Sequence, residues 1–107
     1  MADEMNVNFV LPGEPVENMA ALLADPPAFL VDGGYHFIDD SYESLVYEAD
    51  VTSGFARIAT FGVGKTLYRL TFTFRSADGA TLVNLLGQMP ERTRGAFAEW
   101  VAKIPRA

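Results

Sequence analysis

The sequence predicts an α+β fold, in which an antiparallel meander sheet of five to six strands curves around a C-terminal helix. Three observations predict it. Between residues 35 and 88, runs rich in β-branched and aromatic residues alternate with short turns of hairpin length. An amphipathic helical pattern follows them from residue 90 to 104, and a short strand and helix precede them. Because short connections join antiparallel neighbours, this order predicts a sheet wrapped on one helix.

The length and composition of the chain predict one folded domain, covering residues 1–107. The chain has 107 residues, of which 50% are hydrophobic and 12% aromatic. A single core suits this length, and the apolar fraction is well above that of disordered segments. We therefore expect the chain to fold on its own.

The charge and the chemistry-bearing residues exclude several classes of function. The net charge of −6 argues against binding of nucleic acid or anionic membranes, which require a surplus of Lys and Arg. With no cysteine and one histidine, we expect no disulfide, no metal site and no cofactor. The acidic N-terminus lacks the apolar run of a signal peptide, which predicts a cytoplasmic protein.

The first element is predicted to be a strand from Asn6 to Leu11, where polar and apolar residues alternate. Pro12-Gly13 ends it, and Pro15 begins a helix that runs to about Ala24, because the fixed φ of proline suits the first helical position. The spacing predicts that the apolar face of this helix comprises Val16, Met19, Ala20 and Leu23.

The segment after this helix leads into the meander. Asp25-Pro26-Pro27 stops the helix, and Phe29 to Val31 fits a strand, a helical turn or a loop equally well. The predicted strands of the meander are Tyr35 to Asp39, Tyr42 to Val51, Phe55 to Phe61, Thr66 to Arg75 and Thr81 to Gln88.

The last element is an amphipathic helix that Pro90 begins and Pro105 ends. Trp100 has an indole N–H that needs a partner, so we expect it at the rim of any cavity. One apolar stripe, predicted to pack against the sheet, comprises Thr93, Phe97, Trp100, Val101 and Ile104.

Two turns predict which residues share the inner face of the sheet. A three-residue loop at 52–54 and a two-residue loop at 63–64 each place the same alternate residues together. Arg57 is the charged exception, and an inward guanidinium would mark a functional pocket. If one loop differs by a residue, Arg57 faces water instead. The predicted face comprises Leu45, Tyr47, Ala49, Val51, Phe55, Arg57, Ala59, Phe61, Thr66, Tyr68, Leu70 and Phe72.

The last hairpin allows two registers. A three-residue turn at Ala77-Asp78-Gly79 would point Leu82, Asn84, Leu86 and Gln88 inward, and Asn84 would join the polar groups of a pocket. A two-residue turn at Asp78-Gly79 would instead point Val83 and Leu85 inward and leave the interior nearly dry.

Three motifs have simpler interpretations than the sites they resemble. Residues 59–66 end like a phosphate-binding loop, but a strand follows rather than a helix, which favours a hairpin turn. His36 lies between aromatic residues and is interpreted as a surface or packing residue. Asp39-Asp40 with Glu43 could bind a metal, although turn residues that cap local N–H groups are the favoured interpretation.

The order of elements resembles the START and polyketide-cyclase (SRPBCC) superfamily of helix-grip proteins. Two short motifs carry the resemblance, Leu23-Ala24-Asp25-Pro26 after the first helix and Asp78-Gly79-Ala80-Thr81 before the last strand. The chain departs from the family in its short length, in the reduced second helix and in lacking the aromatic residue of the first helix. The resemblance implies a helix-grip domain with a hydrophobic pocket between sheet and terminal helix, and no shared catalytic residues.

These observations predict binding of a small hydrophobic or aromatic ligand between the meander and the terminal helix. The alternative is an interaction module with a filled core, which would act through its acidic surface or form a homodimer through a sheet edge such as Tyr35 to Asp39. A metal-independent cyclase or dehydratase with His36 or an aspartate as base is a third hypothesis. The predicted site has an apolar wall of Tyr47, Tyr68, Leu70, Phe72, Phe97 and Trp100, with Arg57 and Asn84 as orienting polar contacts.

Overall fold

The computed structural model of the chain describes residues 4–50 and 67–104. Within these ranges, strands and helices follow one another in nearly the predicted order. The elements are β1 (Glu4–Pro12), α1 (Pro15–Ala24), α2 (Ala28–Asp32), β2 (His36–Ser41), β3 (Ser44–Asp50), β4 (Leu67–Ala77), β5 (Ala80–Gln88) and α3 (Glu91–Ala102).

The strands form one five-stranded sheet in the order β1-β5-β4-β3-β2, and every neighbouring pair is antiparallel. The sheet is open, and the three helices supply the rest of an α+β fold. The predicted fold class is therefore confirmed: an antiparallel meander with a C-terminal helix and a short N-terminal strand and helix.

The centre of the sheet differs from the prediction in one strand. β3 pairs directly with β4, from Ser44 opposite Thr73 to Asp50 opposite Leu67, and its other neighbour is β2. β3 and β4 are thus direct neighbours, where the sequence predicted a strand between them; that predicted strand, Phe55 to Phe61, lies outside the described residues. The same pairing nevertheless confirms that Leu45, Tyr47 and Ala49 share a face with Phe72, Leu70 and Tyr68.

The β4–β5 hairpin decides between the two registers that the sequence allows. Ala77 pairs with Ala80, so the turn has the two residues Asp78 and Gly79, with φ angles of 50° and 83°. Both angles are positive, as a type I′ turn requires. Val83 and Leu85 consequently point inward and are fully buried, while Asn84 lies on the outer face.

The β2–β3 hairpin turns two residues later than predicted. Ser41 pairs with Ser44, and a bulge at Ile38 shifts the register between Phe37 and Asp39. All six residues of β2 are exposed. As expected for a local cap, Asp39 accepts a hydrogen bond from the backbone N–H of Asp40 at 2.9 Å.

Helix α1 has the predicted bounds, and Met19 of its predicted apolar face packs against the core, but Val16, Ala20 and Leu23 are exposed. Leu22 is its buried residue, whereas Val16 is 78% exposed and Leu23 is 42% exposed. The amide of Asn18 explains this rotation, because it donates a hydrogen bond to the Thr81 hydroxyl of β5 at 2.8 Å. Asn18 and Leu22 are one turn apart and therefore face the sheet together.

The apolar stripe of α3 is confirmed. Thr93 and Phe97 are buried, and Trp100, Val101 and Ile104 pack half-buried against the core. The undecided segment before β2 forms helix α2, which packs against α3 and buries Phe29 and Leu30. In the part of the chain that the structure describes, no helix has both the length and the apolar character needed to cross a membrane.

Candidate functional site: an apolar cleft beside the first helix

A cleft of about 450 Å³ separates α1 and the connection to α2 from the inner face of the sheet. Strands β1, β4 and β5 form its floor, and the helices and their connection form its walls. The floor comprises Phe9, Leu11, Phe72, Phe74 and Val83, and the walls comprise Asn18, Ala21, Leu22, Asp25, Pro26, Pro27, Ala28 and Trp100.

Asn18 fixes the position of α1 over the sheet. Its side-chain N–H group donates to the backbone carbonyls of Pro12 at 3.0 Å and Glu14 at 3.1 Å, and to the Thr81 hydroxyl. Thr81, which is fully buried, donates in turn to the carbonyl of Gly13 at 2.8 Å. This network joins the end of β1, the start of α1 and the start of β5, and it holds the helix beside the floor of the cleft.

The connection between α1 and α2 forms part of the wall of the cleft. Pro26 and Pro27 follow the end of α1 at Asp25, and both have a fixed φ, so few backbone conformations are open to this segment. Pro27 precedes α2 and accepts a hydrogen bond from the N–H of Leu30 at 3.0 Å. The wall of the cleft is therefore a constrained segment of backbone.

Aromatic contacts hold Trp100 at the cleft. Its ring centroid lies 5.5 Å from that of Phe9 and 5.3 Å from that of Phe29, and Phe9 also contacts Phe97 at 5.9 Å. The two contacts of Phe9 are edge-to-face arrangements, the geometry that aromatic pairs prefer. Trp100 remains half-buried, so one part of its ring packs in the core and another part borders the cleft.

The cleft includes two of the residues predicted from the sequence, Phe72 and Trp100. The other apolar residues of the predicted wall lie in the core without lining the cleft, because the cleft lies beside α1 and not under the middle of α3. Leu70 and Phe97 are buried, Tyr47 is buried on β3 against Phe72, and Tyr68 is half-buried on β4.

The two predicted polar contacts are not part of the cleft as the structure describes it. Asn84 lies on the outer face of β5, where its amide donates to the side-chain oxygens of Asn6 at 2.7 Å and Asn8 at 3.1 Å. The register that would turn Asn84 inward is not adopted, because the hairpin turn has two residues rather than three. Arg57 lies outside the described residues, as do the loops at 52–54 and 63–64 and the motif at 59–66.

Sequence reasoning missed most of the residues that shape the cleft, notably Asn18, Leu22 and Phe74. A signal was present for the first two, because Asn18 and Leu22 are four residues apart and share one helix face. The sequence predicted an inward Val83 only in one of the two hairpin registers. Phe74 follows Phe72 by two residues on β4 and so points to the same face.

Among the described lining residues, Asp25 is the titratable acid and no base is present. Elsewhere, burial raises the pKa of Tyr35 to about 12, with a smaller contribution from nearby Tyr68, and burial also raises the pKa of Tyr47. Neither tyrosine lines the cleft. His36 lies exposed on β2, and residues 4–50 and 67–104 contain no group of three or more His, Cys, Asp or Glu side chains placed to hold a metal ion.

Comparisons with known proteins leave the chain without an assigned family. No family model, no curated protein and no solved structure matches it. The resemblance to the SRPBCC superfamily accordingly remains a prediction from the sequence.

Proposed function

We propose that this protein binds a small, mostly apolar molecule in the cleft beside α1. The observation that carries the proposal is the cleft itself, with a volume of about 450 Å³ and a floor of Phe, Leu and Val side chains. Ligand sites in proteins have volumes of roughly 300 to 1,000 Å³, apolar walls and a few polar groups, and this cleft has each of these properties.

The volume limits the size of the ligand. If each non-hydrogen atom occupies about 30 Å³, the share of one water molecule in the liquid, the cleft holds about fifteen atoms. A short alkyl chain or a two-ring aromatic molecule is therefore of a size that the cleft can hold.

Trp100 supplies a direct test, because it lines the cleft and is the single tryptophan of the chain. We expect titration with octanol to shift the Trp100 emission to shorter wavelength in a saturable way. The midpoint of thermal unfolding should rise with octanol concentration, since a ligand that binds only the folded state stabilises it.

A matched pair of variants on α1 separates binding in the cleft from adsorption elsewhere. Ala21 and Ala20 are neighbours and both are exposed, but Ala21 lines the cleft and Ala20 does not. Ala21→Phe should abolish the saturable response by filling the cleft, and Ala20→Phe should preserve it. Equal octanol binding by the two variants, or no saturation in the unmodified protein, would contradict the proposal.

Homodimerisation through β2 has less support. Phe37 and Ile38 are 42% and 39% exposed on this edge strand. However, β2 also carries the bulge at Ile38 and two adjacent carboxylates, Asp39 and Asp40, and bulges and charges both oppose edge-to-edge pairing. A molecular mass in solution that rises with protein concentration, and that Ile38→Lys returns to the monomer value, would favour the dimer.

A further inference from the structure

We propose that the occupant of the cleft carries a hydrogen-bond-donating end, a hydroxyl or an ammonium group, and not a carboxylate. This inference rests on the proposed binding function and specifies the chemical class of the ligand. It follows from the polar atoms that the lining side chains leave available.

Asn18 lines the cleft, and its amide oxygen is the polar atom that the surrounding hydrogen bonds leave available. Its side-chain N–H group already has three acceptors, the carbonyls of Pro12 and Glu14 and the hydroxyl of Thr81, for its two hydrogens. A flipped amide would place its oxygen against two carbonyl oxygens, so the orientation is determined. Among the described residues no donor reaches the amide oxygen, which is the atom of Asn18 left for a ligand.

The connection after α1 offers acceptors as well. Asp25 is an exposed carboxylate, and its backbone N–H is occupied by a hydrogen bond to the carbonyl of Ala21 at 2.9 Å. Pro26 and Pro27 have no backbone N–H. This part of the lining therefore contributes a carboxylate and no side-chain donor.

The donors available to an anion are few. The described lining includes no Lys, Arg or His. The amide N–H groups of Asn18 are occupied by its own hydrogen bonds, which leaves the indole N–H of Trp100 as a side-chain donor outside that network. The N–H groups that begin α2 lie close in sequence to the Asp25 carboxylate, which would repel an anionic ligand. A carboxylate in the cleft would lose hydration without gaining a cation, and the net charge of −6 adds to this cost.

The test compares octylamine, octanol and octanoate, which share one alkyl chain and differ in the polar end. At neutral pH and physiological salt, we expect octylamine and octanol to bind at least about tenfold more tightly than octanoate, by Trp100 emission and by calorimetry. Asp25→Asn should reduce the affinity for octylamine and leave that for octanol unchanged.

Asp32→Asn is the control. This substitution removes the same charge, and Asp32 is also exposed but does not line this cleft. It should leave the ranking of the three probes unchanged. Equal binding of all three probes, or tightest binding of octanoate, overturns the inference while the binding function stands. Saturable binding of none of them overturns both. Identical effects of the two Asp variants on octylamine overturn the role of Asp25 and show that the amine responds only to net charge.

Discussion

Strands β5 and β2 differ in how the neighbouring strands and helices support them. β5 lies between β1 and β4, and it buries Thr81, Val83 and Leu85 on its inner face. β2 is an edge strand of the described sheet, pairs only with β3, and buries none of its residues. The comparison shows that strand pairing alone does not create a site. The cleft forms where a strand has neighbours on both sides and a helix fixed above it.

The two strands also differ in the hydrogen bonds that connect them to the rest of the protein. Thr81 of β5 joins the network of Asn18 and Gly13, and Gln88 at the other end of β5 accepts a hydrogen bond from Tyr35 at 2.5 Å. β2 has the local cap at Asp39 and an interrupted register at Ile38. We therefore expect the region around β5 to open only with global unfolding and β2 to open locally.

The largest expected effect comes from a glycine in β5. Gly87 has a φ of 150° and lies so close to β4 that an added Cβ would overlap the carbonyl oxygen of Arg69 and lie 2.9 Å from the Cα of Leu70. Gly87→Ala should therefore lower the free energy of unfolding by more than about 4 kcal/mol or prevent folding, because backbone must move. Chemical denaturation followed by circular dichroism measures this.

Gly95 is the matched control for the same substitution. It lies exposed in α3, and an added Cβ would meet no atom within 4 Å. Gly95→Ala should raise the free energy of unfolding by about 0.5 to 1 kcal/mol, because alanine has fewer unfolded conformations and a higher helix propensity. If Gly87→Ala proves as harmless as Gly95→Ala, β4 and β5 are not as close as described.

A truncation in each region gives the next largest effect. Leu85 is fully buried on β5, and Leu85→Ala should cost about 3 kcal/mol through lost burial and the cavity left behind. Ile38 is 39% exposed on β2, and Ile38→Ala should cost less than about 1 kcal/mol. Thermal and chemical unfolding of both variants measures the difference, and similar losses for the two would contradict the distinction between these regions.

The two buried tyrosines give the smallest effect and differ in sign. Tyr35 donates to the carbonyl of Gln88, so Tyr35→Phe should cost about 1 kcal/mol. The hydroxyl of Tyr47 is buried and has no hydrogen-bond partner among residues 4–50 and 67–104, so Tyr47→Phe should leave stability unchanged or raise it by up to about 1 kcal/mol. A clear loss of stability in Tyr47→Phe would mean that its hydroxyl has a partner in solution.

The raised pKa of Tyr35 also predicts a loss of stability in alkali. The unfolded chain releases this proton near the ordinary pKa of 10, whereas burial keeps it on the folded chain until about 12. Stability is therefore complete below pH 10 and falls as the pH rises from 10 to 12. Tyr35→Phe should flatten this decline, and Tyr47, whose pKa is also raised, should account for part of the remainder.

The sequence by itself determined the class of fold and most of the elements. Proline at position 15, the double proline at 26–27 and the alternation along β1, β4 and β5 are local signals, and local backbone chemistry is sufficient to interpret them. The stripe of α3 was equally clear, because its period of about 3.6 residues is a property of the helix itself.

Only the tertiary structure decided which strands meet, which side of α1 faces inward and where the cleft lies. A one-residue difference in a turn reverses every side chain of the strand that follows, as Asn84 and Val83 show, and the turn residues at 77–79 allow both lengths. The rotation of α1 likewise depends on a hydrogen bond between Asn18 and Thr81, which are 63 residues apart. Contacts over such a separation are set by packing of the whole chain and leave no periodic signal in the sequence.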